Sequence, residues 1–64
     1  MTKYLFLIWY KAGNNQSIQF HQKEMPLATE DIAKWACDNY ADVNSGYCEM
    51  VVDGTVVYKA GTPL

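Results

Sequence analysis

The run Lys3–Lys11 (KYLFLIWYK) places seven consecutive apolar or aromatic side chains between two lysines, and no other segment constrains the fold as strongly. In a β-strand, successive side chains point to opposite faces. One set of side chains is therefore Leu5, Leu7 and Trp9, and the other is Tyr4, Phe6, Ile8 and Tyr10. A strand that is apolar on both faces is normally covered on both sides. Because 64 residues can hardly supply two covering layers, we expect one face of this strand to be left uncovered by the chain itself and to be covered by a binding partner.

The charge pattern bears on what that partner is. The chain predicts a single domain over residues 1–64, with net charge −2 and no arginine, so direct binding of nucleic acid is not expected. Residues 1–23 carry three lysines and no acid, whereas residues 24–64 carry seven acids and two lysines, which gives −5. This acidic half suits a basic surface on another protein, although a merely solvated surface is the simpler interpretation.

The cysteines and the apolar segments indicate a cytoplasmic protein. Two cysteines are too few for a disulfide scaffold, and we expect Cys37 and Cys48 to be buried, reduced thiols, with a bond between them left open. No apolar stretch approaches the roughly 18 residues of a membrane span, and no signal-peptide cleavage pattern follows the first apolar run.

The hydrophobic periodicity predicts an α+β fold of order ββαββ, a four-stranded antiparallel sheet with one helix packed on one face. The expected elements are strands at about 2–11 and 16–22, a helix from the N-cap Thr29 to about residue 42, and a hairpin at 47–59. The first strand is expected to be central because it is the most apolar. Turn residues tolerant of positive φ occur at 12–15 and at Asn44-Ser45-Gly46.

The pairing register of the first hairpin, which sets which side chains of its two strands share a face of the sheet, decides which face we predict to be the core. In the second strand, Ile18 and Phe20 alternate with Gln19 and His21, so the face that carries its polar side chains is expected to be exposed to solvent. Pairing across a tight even-numbered loop puts the Leu5, Leu7 and Trp9 set beside Ile18 and Phe20. We therefore predict that these five side chains lie under the helix.

The second hairpin should turn at Asp53-Gly54, a pair typical of two-residue turns. Such a turn pairs Val52 with Thr55 and Met50 with Val57. The predicted core side chains of this hairpin are Cys48, Met50, Val52, Thr55 and Val57, and the opposite set is Tyr47, Glu49, Val51, Val56 and Tyr58.

The helix is predicted to be amphipathic. Its expected inward arc is Ile32, Ala33, Trp35, Ala36, Cys37 and Tyr40, with Trp35 and Tyr40 at the margins. Its expected outward side is Glu30, Asp31, Lys34 and Asp38.

No residue pattern indicates reaction chemistry, so we expect neither an enzyme nor a cofactor. His21 is the only histidine, and no nucleophile or orienting carboxylate has local spacing to it. With one histidine and no C-x-x-C pair, no metal site is expected.

The apolar face of the sheet that we do not predict to lie under the helix is the candidate partner-binding surface. It consists of Tyr4, Phe6, Ile8, Tyr10, Tyr47, Glu49 and Tyr58. The second candidate surface is the acidic side of the helix, with Glu30, Asp31 and Asp38. The alternative for the first surface is that residues 25–27 and the C-terminal tail fold back and cover it.

The element order is carried by Thr29–Tyr40 (TEDIAKWACDNY) followed by Gly46–Tyr58 (GYCEMVVDGTVVY). This layout resembles small phage-encoded inhibitor proteins, including some anti-CRISPR proteins and phage inhibitors of host RNA polymerase. The resemblance lies in element order and length, and it implies a single-purpose protein binder that acts by occlusion in the host cell. We accordingly expect an interaction module that blocks a larger protein. The alternative is a homodimer that buries the candidate partner-binding face of its sheet against its own copy.

Overall fold

The structure, a computed structural model, describes residues 2–13, 17–43 and 46–63. Its elements are β1 (Thr2–Ala12), β2 (Ser17–Leu27), α1 (Glu30–Val43), β3 (Tyr47–Val52) and β4 (Thr55–Gly61). The strands form one antiparallel sheet in the order β2-β1-β3-β4, with α1 on one face. The predicted α+β class, the ββαββ order and the central first strand are therefore confirmed. The turn predictions at Asn14, Asn15, Asn44 and Ser45 lie outside the described residues.

The first hairpin has the predicted parity but a longer second strand. Trp9 pairs with Phe20, and Lys11 with Ile18, so the expected apolar set does share one face of the sheet. β2 continues past the expected end at residue 22 and runs through Pro26 to Leu27. Pro26 fits there because β2 is an edge strand, whose outward positions need no amide donor.

The helix covers the opposite face from the one we predicted. Phe6 is completely buried, and Tyr4 and Ile8 are nearly so, in the core beneath α1. Ile18 and Phe20, by contrast, remain 54% and 51% exposed. The prediction that Leu5, Leu7, Trp9, Ile18 and Phe20 lie under the helix is therefore wrong.

The error has a physical cause in the position of β2. A strand of 11 residues is about 36 Å long, whereas a helix of 14 residues is about 21 Å long. The helix packs mainly on β3 and β4 and reaches β2 least. Polar Gln19 and His21 can therefore stay exposed on the helix side of the sheet, and their exposure says nothing about which face α1 covers.

The second hairpin contains the predicted turn and one irregularity. Asp53 and Gly54 both have positive φ, 52° and 78°, as a type I′ turn requires. Val52 pairs with Thr55 as predicted, but a β-bulge then places Tyr58 opposite Met50. Tyr58 consequently joins the helix side, and the predicted pairing of Met50 with Val57 is wrong.

The helix begins as predicted but is rotated. The hydroxyl oxygen of Thr29 accepts a hydrogen bond from the Ile32 amide at 3.2 Å, which confirms the N-cap. The residues buried against the sheet are Ala33, Cys37 and Ala41, at four-residue spacing. Small side chains on this stripe let the helix approach the sheet closely. As a result, Ile32 and Trp35, which we predicted to point inward, are exposed.

Gly46 allows β3 to start close to β1. A methyl group at this position would overlap the backbone carbonyl oxygen of Trp9. The Gly46 amide also donates to the Ala41 carbonyl at 2.8 Å, which satisfies one carbonyl of the last helical turn.

Candidate functional site

Three residues of the predicted partner-binding set are core residues. Tyr4, Phe6 and Ile8 lie between the sheet and the helix, where a partner cannot reach them without unfolding the domain. Their placement on an uncovered face is therefore wrong. The reason is the one given for the fold: both faces of β1 are apolar, and β2 did not indicate which one the helix covers.

Tyr10 and Tyr58 also lie on the helix side, half-buried at the margin of the core. The Tyr58 hydroxyl donates a hydrogen bond to the Asp38 carboxylate at 2.7 Å. This hydrogen bond is the main cause that raises the pKa of Tyr58, since it stabilises the protonated phenol. Our placement of Tyr10 and Tyr58 on the uncovered face is thus wrong as well.

Tyr47 and Glu49 do lie on the face of the sheet opposite the helix. Tyr47 is largely buried there by neighbouring side chains, and its hydroxyl donates to the Glu49 carboxylate at 2.8 Å. Burial, followed by the hydrogen bond to Glu49, raises the pKa of Tyr47. The Tyr47 hydroxyl and the Glu49 carboxylate are therefore hydrogen-bonded to each other on this surface.

We call the face opposite the helix the open sheet face. It comprises Lys3, Leu5, Leu7, Trp9, Lys11, Ile18, Phe20, Gln22, Glu24, Tyr47, Glu49, Val51, Val56 and Lys59. An aromatic row crosses it, with the Trp9 ring centroid 4.9 Å from that of Phe20 and 5.6 Å from that of Tyr47. Pro63 borders a small hollow beside Trp9 and Tyr47, of about 180 Å³. Charged side chains flank the apolar centre, with both signs present.

The outer side of α1 carries a second exposed surface, which we call the Trp35 face. It comprises Asp31, Ile32, Trp35, Asp38, Asn39 and Asp42, which lie within one arc of the helix. Trp35 is 68% exposed at its centre. The two predicted acids Asp31 and Asp38 flank it, whereas Glu30 is exposed at the helix start, on a different side of the helix.

Two hollows border Asp38 and Asp42 on this side of the protein. One, of about 310 Å³, is lined by Trp35, Asp38, Asn39 and Asp42. The other, of about 320 Å³, shares Asp38 and Asp42 and extends to Gly61 and Thr62 at the end of β4. The two hollows therefore meet at Asp38 and Asp42, and the first of them also borders the exposed Trp35 indole.

The two cysteines are buried free thiols. The Cys37 thiol donates to the Cys48 carbonyl at 3.6 Å, so helix and sheet meet at this pair. The interaction of its side chain with the Cys37 side chain, and then burial, raise the pKa of the Cys48 thiol. A thiol in this state is a poor nucleophile at neutral pH.

His21 is exposed on the helix side of β2 and borders a groove of about 410 Å³ together with Tyr10, Lys23 and Tyr40. Lys23 places its ammonium 5.9 Å from the centre of the Tyr40 ring. In the described part of the chain, no three His, Cys, Asp or Glu side chains converge as a metal site would require.

Sequence reasoning missed the Trp35 face as a unit. It identified Asp31 and Asp38 as outward but placed Trp35 inward because large apolar side chains usually face a core. The available signal was the stripe Ala33, Cys37 and Ala41, whose small side chains mark the side of closest packing. Trp35 lies on the opposite side of the helix from that stripe.

No protein-family model, curated protein sequence or solved structure matches this chain. The helix of the described residues is too short and too polar to cross a membrane.

Proposed function

We propose that this protein is a non-enzymatic interaction module that docks the Trp35 face onto a basic surface of a larger protein, as an inhibitor or accessory factor that acts by occlusion. The observation that carries the proposal is the exposure of Trp35 among Asp31, Asp38 and Asp42. Tryptophan is among the residues that most often dominate binding energy at protein interfaces. Left uncovered, its indole keeps most of its apolar area in water.

The size of the hydrophobic contribution supports a role in binding. A tryptophan side chain buries up to about 250 Å² when covered, so covering the exposed part of Trp35 contributes roughly 3–4 kcal/mol before the costs of association. Few single side chains offer more. Ile32, also exposed, adds apolar area next to it.

The charges define the chemistry of the partner. Asp31, Asp38 and Asp42 surround the indole, and the only basic residue of the helix, Lys34, lies outside this arc, with its ammonium 5.6 Å from the centre of the Tyr58 ring. An arginine of a partner can stack on Trp35 while its guanidinium bonds a carboxylate. We therefore favour a partner rich in arginine or lysine, such as a protein whose basic surface otherwise binds a polyanion.

The proposed mechanism is steric and electrostatic. The acidic half of the chain attracts a basic surface over a distance of about one Debye length, and the bound domain then excludes other ligands. We place this interaction in the cytoplasm. The buried, unbonded thiols Cys37 and Cys48 support that compartment, since a reducing environment preserves them.

The proposal is tested with an arginine-rich peptide and its lysine counterpart, titrated against the protein while tryptophan fluorescence is recorded. A Trp9→Phe background leaves Trp35 as the reporter. We expect binding that weakens with salt and is tighter for arginine. Asp38→Asn and Asp42→Asn should each weaken binding several-fold. Because one stacked arginine covers only part of the indole, Trp35→Ala should weaken binding roughly three- to thirty-fold, measured by calorimetry.

Asp53→Asn is the matched control, because it removes one negative charge at the β3–β4 turn, where Asp53 borders a hollow with Leu5 and Val51 and is not part of the Trp35 face. It should change the affinity less than twofold. Equal losses of affinity for Asp53→Asn and Asp38→Asn would mean that binding depends only on the net charge of the protein. Unchanged affinity in Trp35→Ala would refute docking through the Trp35 face.

A homodimer that buries the open sheet face is the second candidate, favoured by the exposure of Ile18 and Phe20 on that face. Two such faces would stack sheet on sheet, as in a β-sandwich. Leu7→Lys introduces a charge at the centre of the open sheet face. It should abolish such a dimer, measured as molecular mass by light scattering, and leave peptide binding at the Trp35 face intact.

A further inference from the structure

β2 forms one edge of the sheet and presents a long, regular row of backbone groups. The strand has 11 residues, and all of Ser17–Glu24 is exposed. Natural edge strands are usually shortened, bulged or interrupted by charge or proline. Here the charged residues Lys23 and Glu24 and the single proline, Pro26, come only towards the end of the strand.

The sheet register shows which backbone groups face outward. The Trp9 carbonyl oxygen lies against Gly46, on the β3 side of β1. Backbone groups of one residue point to the same side of a strand and alternate along it, so those of Ile8 and Tyr10 point to β2. The backbone groups of their partners in β2, His21 and Gln19, therefore point back towards β1.

It follows that the even-numbered residues of β2 direct their amides and carbonyls away from β1. Pro26 supports this assignment independently. It has no amide to donate, and its even number places it among the positions that do not bond to β1. The outward row is therefore Ile18, Phe20, Gln22 and Glu24.

We propose that a second copy of this chain pairs with this row, antiparallel, to form one continuous eight-stranded sheet. The two-fold axis passes through His21. In this register Ile18 faces the partner's Glu24 and Phe20 faces the partner's Gln22, so all four outward residues of each copy are used. About eight backbone hydrogen bonds then join the two copies.

The side chains fit this register. On the open sheet face, the two copies of Phe20 become diagonal neighbours within reach of each other, and their exposed area is partly covered. On the helix side, Gln19 faces the partner's Lys23. No two charged side chains of the same sign oppose each other. The helix packs mainly over β3 and β4, so both Trp35 faces remain accessible in the dimer.

Four variants test the pairing and its register, with molecular mass measured by light scattering and sedimentation over a range of concentrations. Gln22→Pro removes an outward amide and leaves the bonds to β1 in place, and it should weaken dimerisation at least tenfold. Gln22→Ala is its control, and its dimerisation affinity should stay within about twofold of that of the parent protein. Circular dichroism verifies that each variant is folded.

The register has its own pair of variants. His21→Glu places two carboxylates face to face at the axis and should weaken the dimer about two- to fivefold. Gln19→Glu, on the same side of the sheet, meets the partner's Lys23 and should keep or raise the affinity. Loss of the dimer in both variants would refute this register.

Amide hydrogen exchange gives an independent readout. The amides of Ile18, Phe20, Gln22 and Glu24 should become protected as concentration rises, whereas those of Gln19 and His21 are protected at all concentrations. A monomer at hundreds of micromolar would overturn the proposal. So would a dimer that survives Gln22→Pro and is lost in Leu7→Lys, which would mean stacked open sheet faces. Neither outcome bears on peptide binding at the Trp35 face.

Discussion

The hydroxyl of Tyr58 donates to the carboxylate of Asp38 across 2.7 Å, and this hydrogen bond joins the edge strand β4 to the outer side of the helix. It exists because the bulge turns Tyr58 towards α1. Asp38 lines both hollows of the Trp35 face, so a sheet residue determines how one of the proposed binding carboxylates is held.

Tyr58→Phe therefore provides a test of how the Trp35 face is organised. The variant keeps the ring and removes the donor, so Asp38 gains rotational freedom. We expect the affinity for the arginine-rich peptide to fall about two- to fivefold with little change in the circular dichroism spectrum. Tyr10→Phe is the control and should bind like the parent. Equal affinity in Tyr58→Phe would show that this hydrogen bond does not organise the site.

Stability should fall at alkaline pH. The pKa of Tyr47 is raised by burial and by Glu49, and that of Tyr58 by Asp38. A group whose pKa is higher in the folded state stabilises the protein fully below its unfolded pKa, about 10 for tyrosine, and this stabilisation is lost as pH rises through the folded value. Denaturant midpoints measured between pH 8 and 11 should drop above about pH 10. The double variant Tyr47→Phe, Tyr58→Phe should show a shallower drop.

The Thr29 cap should contribute measurably to the helix. Thr29→Ala removes the hydroxyl that accepts from the Ile32 amide and should lower the free energy of unfolding by about 1 kcal/mol. Thr29→Ser keeps an acceptor and should cost much less. Urea denaturation followed by circular dichroism distinguishes the two. Equal losses would assign the effect to the methyl group.

The face assignment of β1 can be tested with adjacent residues. Phe6→Ala empties a fully buried site and should cost about 3–5 kcal/mol, which is enough to unfold a domain of this size. Leu7→Ala, on the open sheet face, should cost clearly less. The milder Phe6→Leu keeps the comparison measurable if Phe6→Ala does not fold. A larger loss at Leu7 than at Phe6 would contradict the observed core.

The thiols should be protected by the fold. Cys37 and Cys48 are buried, and the raised pKa of Cys48 further disfavours its thiolate. In native protein at pH 8 we expect neither to react with a disulfide reagent on the timescale of minutes, and both to react in denaturant. Thr62→Cys, which adds an exposed thiol, should react at once. Rapid native reaction of the parent would indicate local opening between α1 and β3.

The elements, the Thr29 cap and the Asp53-Gly54 turn were predictable because each depends on local residue chemistry. The pairing of Trp9 with Phe20 was also predictable, since hairpin parity is local. The face that the helix covers was not, because Phe6 and Leu7 are equally apolar and only the position of α1 separates them. The bulge leaves no signal among Val56, Val57 and Tyr58, and it moved Tyr58 to the other face.

The bulge also makes the two edges of the sheet unequal. Head-to-tail growth would require β4 of one molecule to accept β2 of the next, and the displaced Val57 interrupts the row of backbone groups that such a contact needs. A polymer has to repeat its contact at both ends of every subunit. This fold has one regular edge, so we expect an assembly that begins at β2 to close on itself, and we expect the irregularity in β4 to disfavour growth into a fibre.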